Sequence, residues 1–197
     1  MSRQATAIQF ETYGGGLVDL LDPSAESFTL EDVARSLSRL CRYNGHSQEF
    51  YSVAQHSCVV ADLLPEEHRI HGLLHDGREF AVGDMASPVK RAIAMRCPSF
   101  ADAFRAIEEG IHAAIYEKAG IALPSPEVEA LVKRADLIAL ATEQREIMRS
   151  PNDWALPFPA APRRIRAVDS TAAYLMFADA LAECGVLVET IRRPRAA

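Results

Sequence analysis

Four residues of this chain could share one divalent cation: His56, the adjacent pair His75-Asp76, and Asp136. A His-Asp dipeptide alone is weak evidence, and position strengthens it. Leu73-Leu74-His75-Asp76 sets a ligand-competent pair at the end of an apolar run, where burial is expected. A buried carboxylate without a cation, an Arg or a hydrogen-bond donor beside it is costly. His56 shares a helical face with Val60 and Leu63, and Asp136 precedes the most apolar run of its own segment, Leu137-Ile138-Ala139-Leu140. Taken singly, His56 reads as a hydrogen-bonded core histidine and Asp136 as an ion-pair partner. Taken together, two imidazoles and two carboxylates suit Mn, Co, Fe, Ni or Zn, with identity open. On an octahedral ion they leave positions for water and a phosphoryl oxygen.

The elements that must bring these residues together read as helices almost throughout. Residues 1–28 form a lead-in, where Tyr13-Gly14-Gly15-Gly16 favours a turn or short hairpin. Thr29 with Asp32 predicts a capped helix over 30–41, whose apolar positions Leu30, Val33, Ala34, Leu37 and Leu40 recur at helical spacing. A second helix is expected from Ser52 to before Pro65, and a third from Glu66 through Asp76, ending near Gly77 or Gly83. Ser87-Pro88 opens a short segment, Ser99 caps a helix to about Ala119, and Ser125-Pro126 opens one reaching Met148. Pro151, Pro157, Pro159 and Pro162 make 150–162 a connecting loop holding Trp154, and a last helix spans roughly 169–184. The expected fold is all-α: one bundle of about six to eight helices over 29–197.

Bulk composition narrows the function. At 197 residues and 49% hydrophobic, the chain can bury a core without staples. A net charge of −6 argues against binding a nucleic-acid duplex, though not against a small anion in a locally basic pocket. Cys41, Cys58, Cys97 and Cys184 form no CxxC pair and are read as free thiols in a reducing compartment. No run approaches the ~20 apolar residues of a membrane span, so a soluble, cytoplasmic protein is expected.

The order His…His-Asp…Asp, with Arg42-Tyr43-Asn44-Gly45-His46, Tyr51-Ser52-Val53-Ala54-Gln55-His56-Ser57, Leu73-Leu74-His75-Asp76-Gly77-Arg78-Glu79 and Gly83-Asp84-Met85-Ala86-Ser87-Pro88-Val89-Lys90, resembles the HD-domain phosphohydrolases, in particular the bacterial 5′-deoxynucleotidase-like branch. The resemblance covers about 29–148. It implies an HD-domain helical bundle with one divalent metal on His56, His75, Asp76 and Asp136. It further implies Glu79 and Asp84 as catalytic proton carriers and Arg42 and Lys90 as phosphate contacts. His46 and Gln55 are weaker candidates for contact with substrate, while His68, His71 and His112 read as structural or solvated. The implied reaction is hydrolysis of a deoxynucleoside 5′-monophosphate. Release of triphosphate from a deoxynucleoside triphosphate uses the same ligands and stays open, with Arg78, Lys90 and Arg91 as its basic track. Cyclic-nucleotide hydrolysis is less favoured, because extra histidines for a second metal are not evident. A non-catalytic nucleotide-binding regulatory module and a purely structural helical protein are the readings of other classes. A homodimer stays open, with no interface legible.

Overall fold

The computed structural model describes residues 7–189. The chain enters through an antiparallel hairpin, β1 (Gln9–Glu11) and β2 (Leu17–Asp19), in register Phe10 to Val18. This is the expected lead-in hairpin, but it is not peripheral. Val18 and Phe28 are buried in the main core, and Phe10 meets Phe80 edge-on at 5.9 Å.

Helix α1 (Leu30–Arg39) starts at a complete capping box: Thr29 accepts from the Asp32 amide, and Asp32 accepts from the Thr29 amide at 2.9 Å. Its buried stripe is Leu30, Val33, Ala34 and Leu37, which is the i, i+3, i+4, i+7 face read from the sequence. Helix α2 (Val53–Ala61), capped by Ser52, is buried on every side. A helix buried all round must lie at the centre, and α2 packs against α1, α3, α7 and α8. Val53, Ala54, Cys58 and Ala61 enter a core with α1, α3 and α8, whereas Val59 and Val60 enter a second cluster with Val132, Ala135 and Ala139 of α7.

The third helix is shorter than expected. It divides into a 3-10 turn (Glu66–His68), α3 (Arg69–Leu74), a turn over 75–78, and α4 (Glu79–Val82). The physical cause lies in two glycines. A Cβ at Gly72 would sit 2.8 Å from the Ala61 Cα, and one at Gly77 would sit 3.0 Å from the Leu74 carbonyl oxygen and 3.2 Å from Ile115. The first allows α3 to press against α2; the second lets the chain turn tightly just after the His-Asp pair. His75-Asp76 therefore stands at a helix end and not within a helix.

Helices α5 (Ser87–Arg96), α6 (Pro98–Ala119) and α7 (Pro126–Glu143) follow, with Pro in the first turn of each. The helix expected to run to Met148 changes winding at Gln144–Met148, a π-turn ending at Arg149 with φ +46°. No helix or strand occurs between Arg149 and α8 (Ser170–Glu183), which Asp169 caps. The four cysteines are free. Among the described residues, no helix is long and apolar enough to cross a membrane. The fold is a mostly helical bundle with one small sheet.

Candidate metal centre

His56 lies in the middle of α2 and is wholly buried. Its Nδ1 is 2.6 Å from Glu143 Oε1, the last residue of α7. A carboxylate there can only accept, so Nδ1 carries a proton and Nε2 is the nitrogen left to face a cation. His75 is oriented alike: its Nδ1 is 2.7 Å from the Gly72 carbonyl oxygen. Both Nε2 atoms are buried and lack a hydrogen-bond partner. Buried polar atoms are ordinarily satisfied, and two unpartnered imidazole nitrogens facing the Asp76 and Asp136 carboxylates make a donor set that suits a cation. Fixing one ring nitrogen so that the other faces a cation is how metal-binding histidines are held.

The carboxylates complete the cluster. Asp136 Oδ1 and Asp76 Oδ2 each lie 3.4 Å from His56 Nε2, and Asp76 Oδ2 lies 3.1 Å from His75 Nε2. His56, His75 and Asp136 offer ligand atoms all within 4.8 Å of one another, a group that could hold a metal ion. Asp76 adjoins both imidazoles. Lys133 donates to the other Asp136 oxygen at 2.8 Å, so only Oδ1 is turned inward.

Charges agree with this donor set. Burial and Arg42 oppose a proton on His56, but Glu143, Asp136 and Asp76 together raise its pKa well above the ordinary histidine value. A site whose acids force a proton onto a buried imidazole is short of positive charge. Burial would raise the Asp76 and Asp136 carboxyls, yet the neighbouring histidines hold both below the usual range.

Around the cluster stand the other acids. Glu79 is buried, and its Oε2 has no partner. Burial, with Asp76 and Asp84 beside it, pushes its pKa up to about 9. Asp84 is also raised, by burial against the opposing pull of Arg42. The Arg42 guanidinium is 3.6 Å from both Asp76 and Asp84 and 3.5 Å from Glu143, tying three acids together.

The remaining expected contacts are placed differently. Lys90 Nζ is 2.7 Å from Glu108 and lies over the Phe104 ring, engaged with α6 and off the cavity wall. Gln55 is buried with both ends of its amide engaged: Nε2 donates to the Arg166 carbonyl at 2.6 Å, and Oε1 accepts from the Val168 amide at 3.1 Å. It pins the 166–168 segment against α2. His46 is exposed. A cavity of about 250 Å³ opens on the cluster, lined by His75, Asp76 and Asp136 together with His71, Arg78, His112, Tyr116 and Lys133. Arg78 and Lys133 are thus its cations, and two histidines read from the sequence as structural or solvated form its far wall.

Three residues, of which Glu143 has no place in the sequence reading and Tyr43 and Tyr51 appear there without a role, support His56 from behind. Glu143 accepts from Tyr51 at 2.9 Å and from the Tyr43 hydroxyl as well as from His56. Burial opposes its charge, but His56 and Arg42 hold its pKa down to about 2. Tyr43 and the adjacent Asn44 take left-handed backbone (φ 57° and 51°), each costing about 1–3 kcal/mol. The turn persists because Tyr43 is fixed at its hydroxyl by Glu143 and at its ring by Trp154, 5.9 Å away.

No family model matches the chain. It is 39% identical over 122 residues to the uncharacterized protein YfdR of Escherichia coli, a match covering 62% of each protein. It is 33% identical over 144 residues to the uncharacterized protein RCAP_rcc00048 of Rhodobacter capsulatus, covering 68% of this chain and 69% of that one. The chain is a mostly helical protein with a candidate His/Asp metal centre, and it belongs to the same family as RCAP_rcc00048. The match with YfdR spans about three fifths of that relative's length.

Proposed function

We propose that this protein is a metal-dependent phosphohydrolase of the HD-domain superfamily, acting on a deoxynucleoside 5′-monophosphate. The observation that carries this reading is the pair of orphaned, inward-facing Nε2 atoms of His56 and His75 beside Asp76 and Asp136. These four residues would hold the cation. A divalent ion there supplies a Lewis acid for a phosphoryl oxygen and brings the pKa of water toward neutrality.

The chain's own groups then divide the remaining work. Arg78 and Lys133 on the cavity wall attract and orient the phosphate dianion. Arg42 holds Asp76 and Asp84 in place. Glu79, buried beside Asp76 with its Oε2 unpartnered, is placed to carry a proton to the departing 5′ oxygen.

The test is a panel of deoxynucleoside and ribonucleoside mono- and triphosphates with Mn or Co added, with phosphate and triphosphate assayed separately. Phosphate from deoxynucleoside monophosphates, lost after chelation and in both Asp76→Ala and Asp136→Asn, is expected. Hydrolysis persisting in metal-stripped protein sinks the mechanism, and triphosphate as the product replaces the substrate.

A further inference from the structure

A second concavity, larger than the one on the His/Asp cluster, lies elsewhere on the protein. It measures about 610 Å³ and is lined by the π-turn and the 164–167 segment, with Gln48 and Glu49 on one side. No residue of its lining belongs to the smaller cavity. Arg145, Arg149, Arg164 and Arg166 all border it, against two glutamates. This excess of positive charge stands on a chain whose net charge is −6.

The four arginines differ in their engagements. Arg145 is anchored: it pairs with Glu146 at 2.6 Å and donates to the carbonyls of Ala161 and Arg163. Arg163, outside the cavity, is paired with Asp62 at 2.7 Å. Arg149, Arg164 and Arg166, by contrast, have no carboxylate partner among the described residues. Arg164 and Arg166 flank the buried Ile165, and Arg149 approaches from the left-handed end of the π-turn. Three guanidinium groups without carboxylate partners border one concavity that holds two glutamates, a net excess of positive charge that an anion would lower. Planar forks offered from two segments are suited to phosphate oxygens, each able to give two hydrogen bonds.

We infer that this cavity is a second binding site, for the phosphate chain of a small di- or triphosphorylated molecule. Its volume admits a compact ligand, and its one-sided charge selects a polyanion. Its floor adds a structural link. Ile147 and Ile165 belong to the apolar cluster that also contains Val60 and Ala139 of the two ligand-bearing helices. An occupant therefore rests on the same packing that supports His56 and Asp136.

Inorganic tripolyphosphate, titrated calorimetrically into the full chain in chelator, is the probe, with ATP as a second arm. Wild type and Asp76→Ala are expected to bind it with affinities within twofold. Arg149→Ala/Arg166→Ala is expected to bind at least tenfold more weakly and to lose the rise in melting temperature that tripolyphosphate gives wild type. These arginines are exposed, so circular dichroism of the unliganded double variant should match wild type. Equal affinity for ATP and tripolyphosphate assigns recognition to the phosphates alone, and tighter ATP adds the nucleoside. Absence of binding to wild type overturns the proposal. So does binding that survives the arginine substitutions, or binding that disappears in Asp76→Ala, which would place the anion at the metal cluster. The proposed hydrolysis can fail without affecting any of these readings.

Discussion

Replacing Glu143 by Gln keeps the shape of the side chain and removes its charge from the one place where Tyr43, Tyr51, His56 and Arg42 all depend on it. In the native protein its pKa falls from 4.5 to about 2, a shift equivalent to on the order of 3 kcal/mol. Because the folded pKa is the lower one, this stabilisation is complete above pH 4.5 and is lost as pH falls through 2. Counting bonds gives a similar size. His56 and Tyr51 share Oε1 and Tyr43 takes Oε2, so a glutamine carbonyl left at Oε1 turns an NH2 toward Tyr43 and Arg42, at about 1–3 kcal/mol for the orphaned donor plus the loss of charge beside Arg42. At about 2–4 °C per kcal/mol for a chain of this size, the melting temperature should drop by roughly 5–12 °C at pH 7. The variant's stability should also be flatter between pH 4.5 and 2. Loss of the partner that fixes the His56 tautomer should weaken Mn binding by roughly 10- to 100-fold. Thermal unfolding in chelator and calorimetric Mn titration measure the two effects separately. If the melting temperature falls while Mn affinity per folded molecule stays within twofold, Glu143 is a packing residue only, and the account of His56 orientation is refuted.

Two further substitutions probe the supporting framework. Gly72→Ala forces a Cβ to 2.8 Å from the Ala61 backbone, so α3 must retreat from α2. A loss of about 1–3 kcal/mol in urea unfolding is expected, together with weaker Mn binding as the Gly72 carbonyl moves from His75; unchanged stability would show that α2 and α3 are not in close contact. Gln55→Ala strips partners from the Arg166 carbonyl and the Val168 amide and should cost about 1–3 kcal/mol with KM unaltered. A raised KM with native stability would instead return Gln55 to the substrate.

The contrast between what could and could not be read in the sequence follows from distance along the chain. The capping box at Thr29, the stripe of α1 and the loop after Ser150 are set by neighbours a few residues away, and each was legible. His56, His75 and Asp136 were legible for another reason: a hydrogen-bonding side chain inside an apolar run announces burial before any partner is known. Glu143 gives no such signal. It stands in Thr142-Glu143-Gln144-Arg145-Glu146, which reads as a solvated helix end, and its partner His56 is 87 residues away. Its one legible trace is that it follows Asp136 by two helical turns. The engagements of Gln55 with Arg166 and of Lys90 with Glu108 were not legible for the same reason, since they are set by tertiary packing. The break of the third helix had a local sign in Gly72 and Gly77, but glycine alone does not tell a close approach from a simple stop.

Helix α7 meets His56 at both ring nitrogens, through Asp136 on one side and Glu143 on the other. Two grips spaced two turns apart cannot be satisfied one at a time by a helix that slides or rotates as a rigid rod: a one-turn slip of ~5.4 Å removes both. Undocking α7 therefore strips the cluster of Asp136 and of the Glu143 hold on His56 in one step, leaving His56, His75 and Asp76 on α2 and the end of α3. Restoring both grips closes a chain loop of more than eighty residues. A chain with α7 out of place keeps three donors with nothing to fix the His56 ring, and the full donor set that selects the ion exists only once the helix has seated.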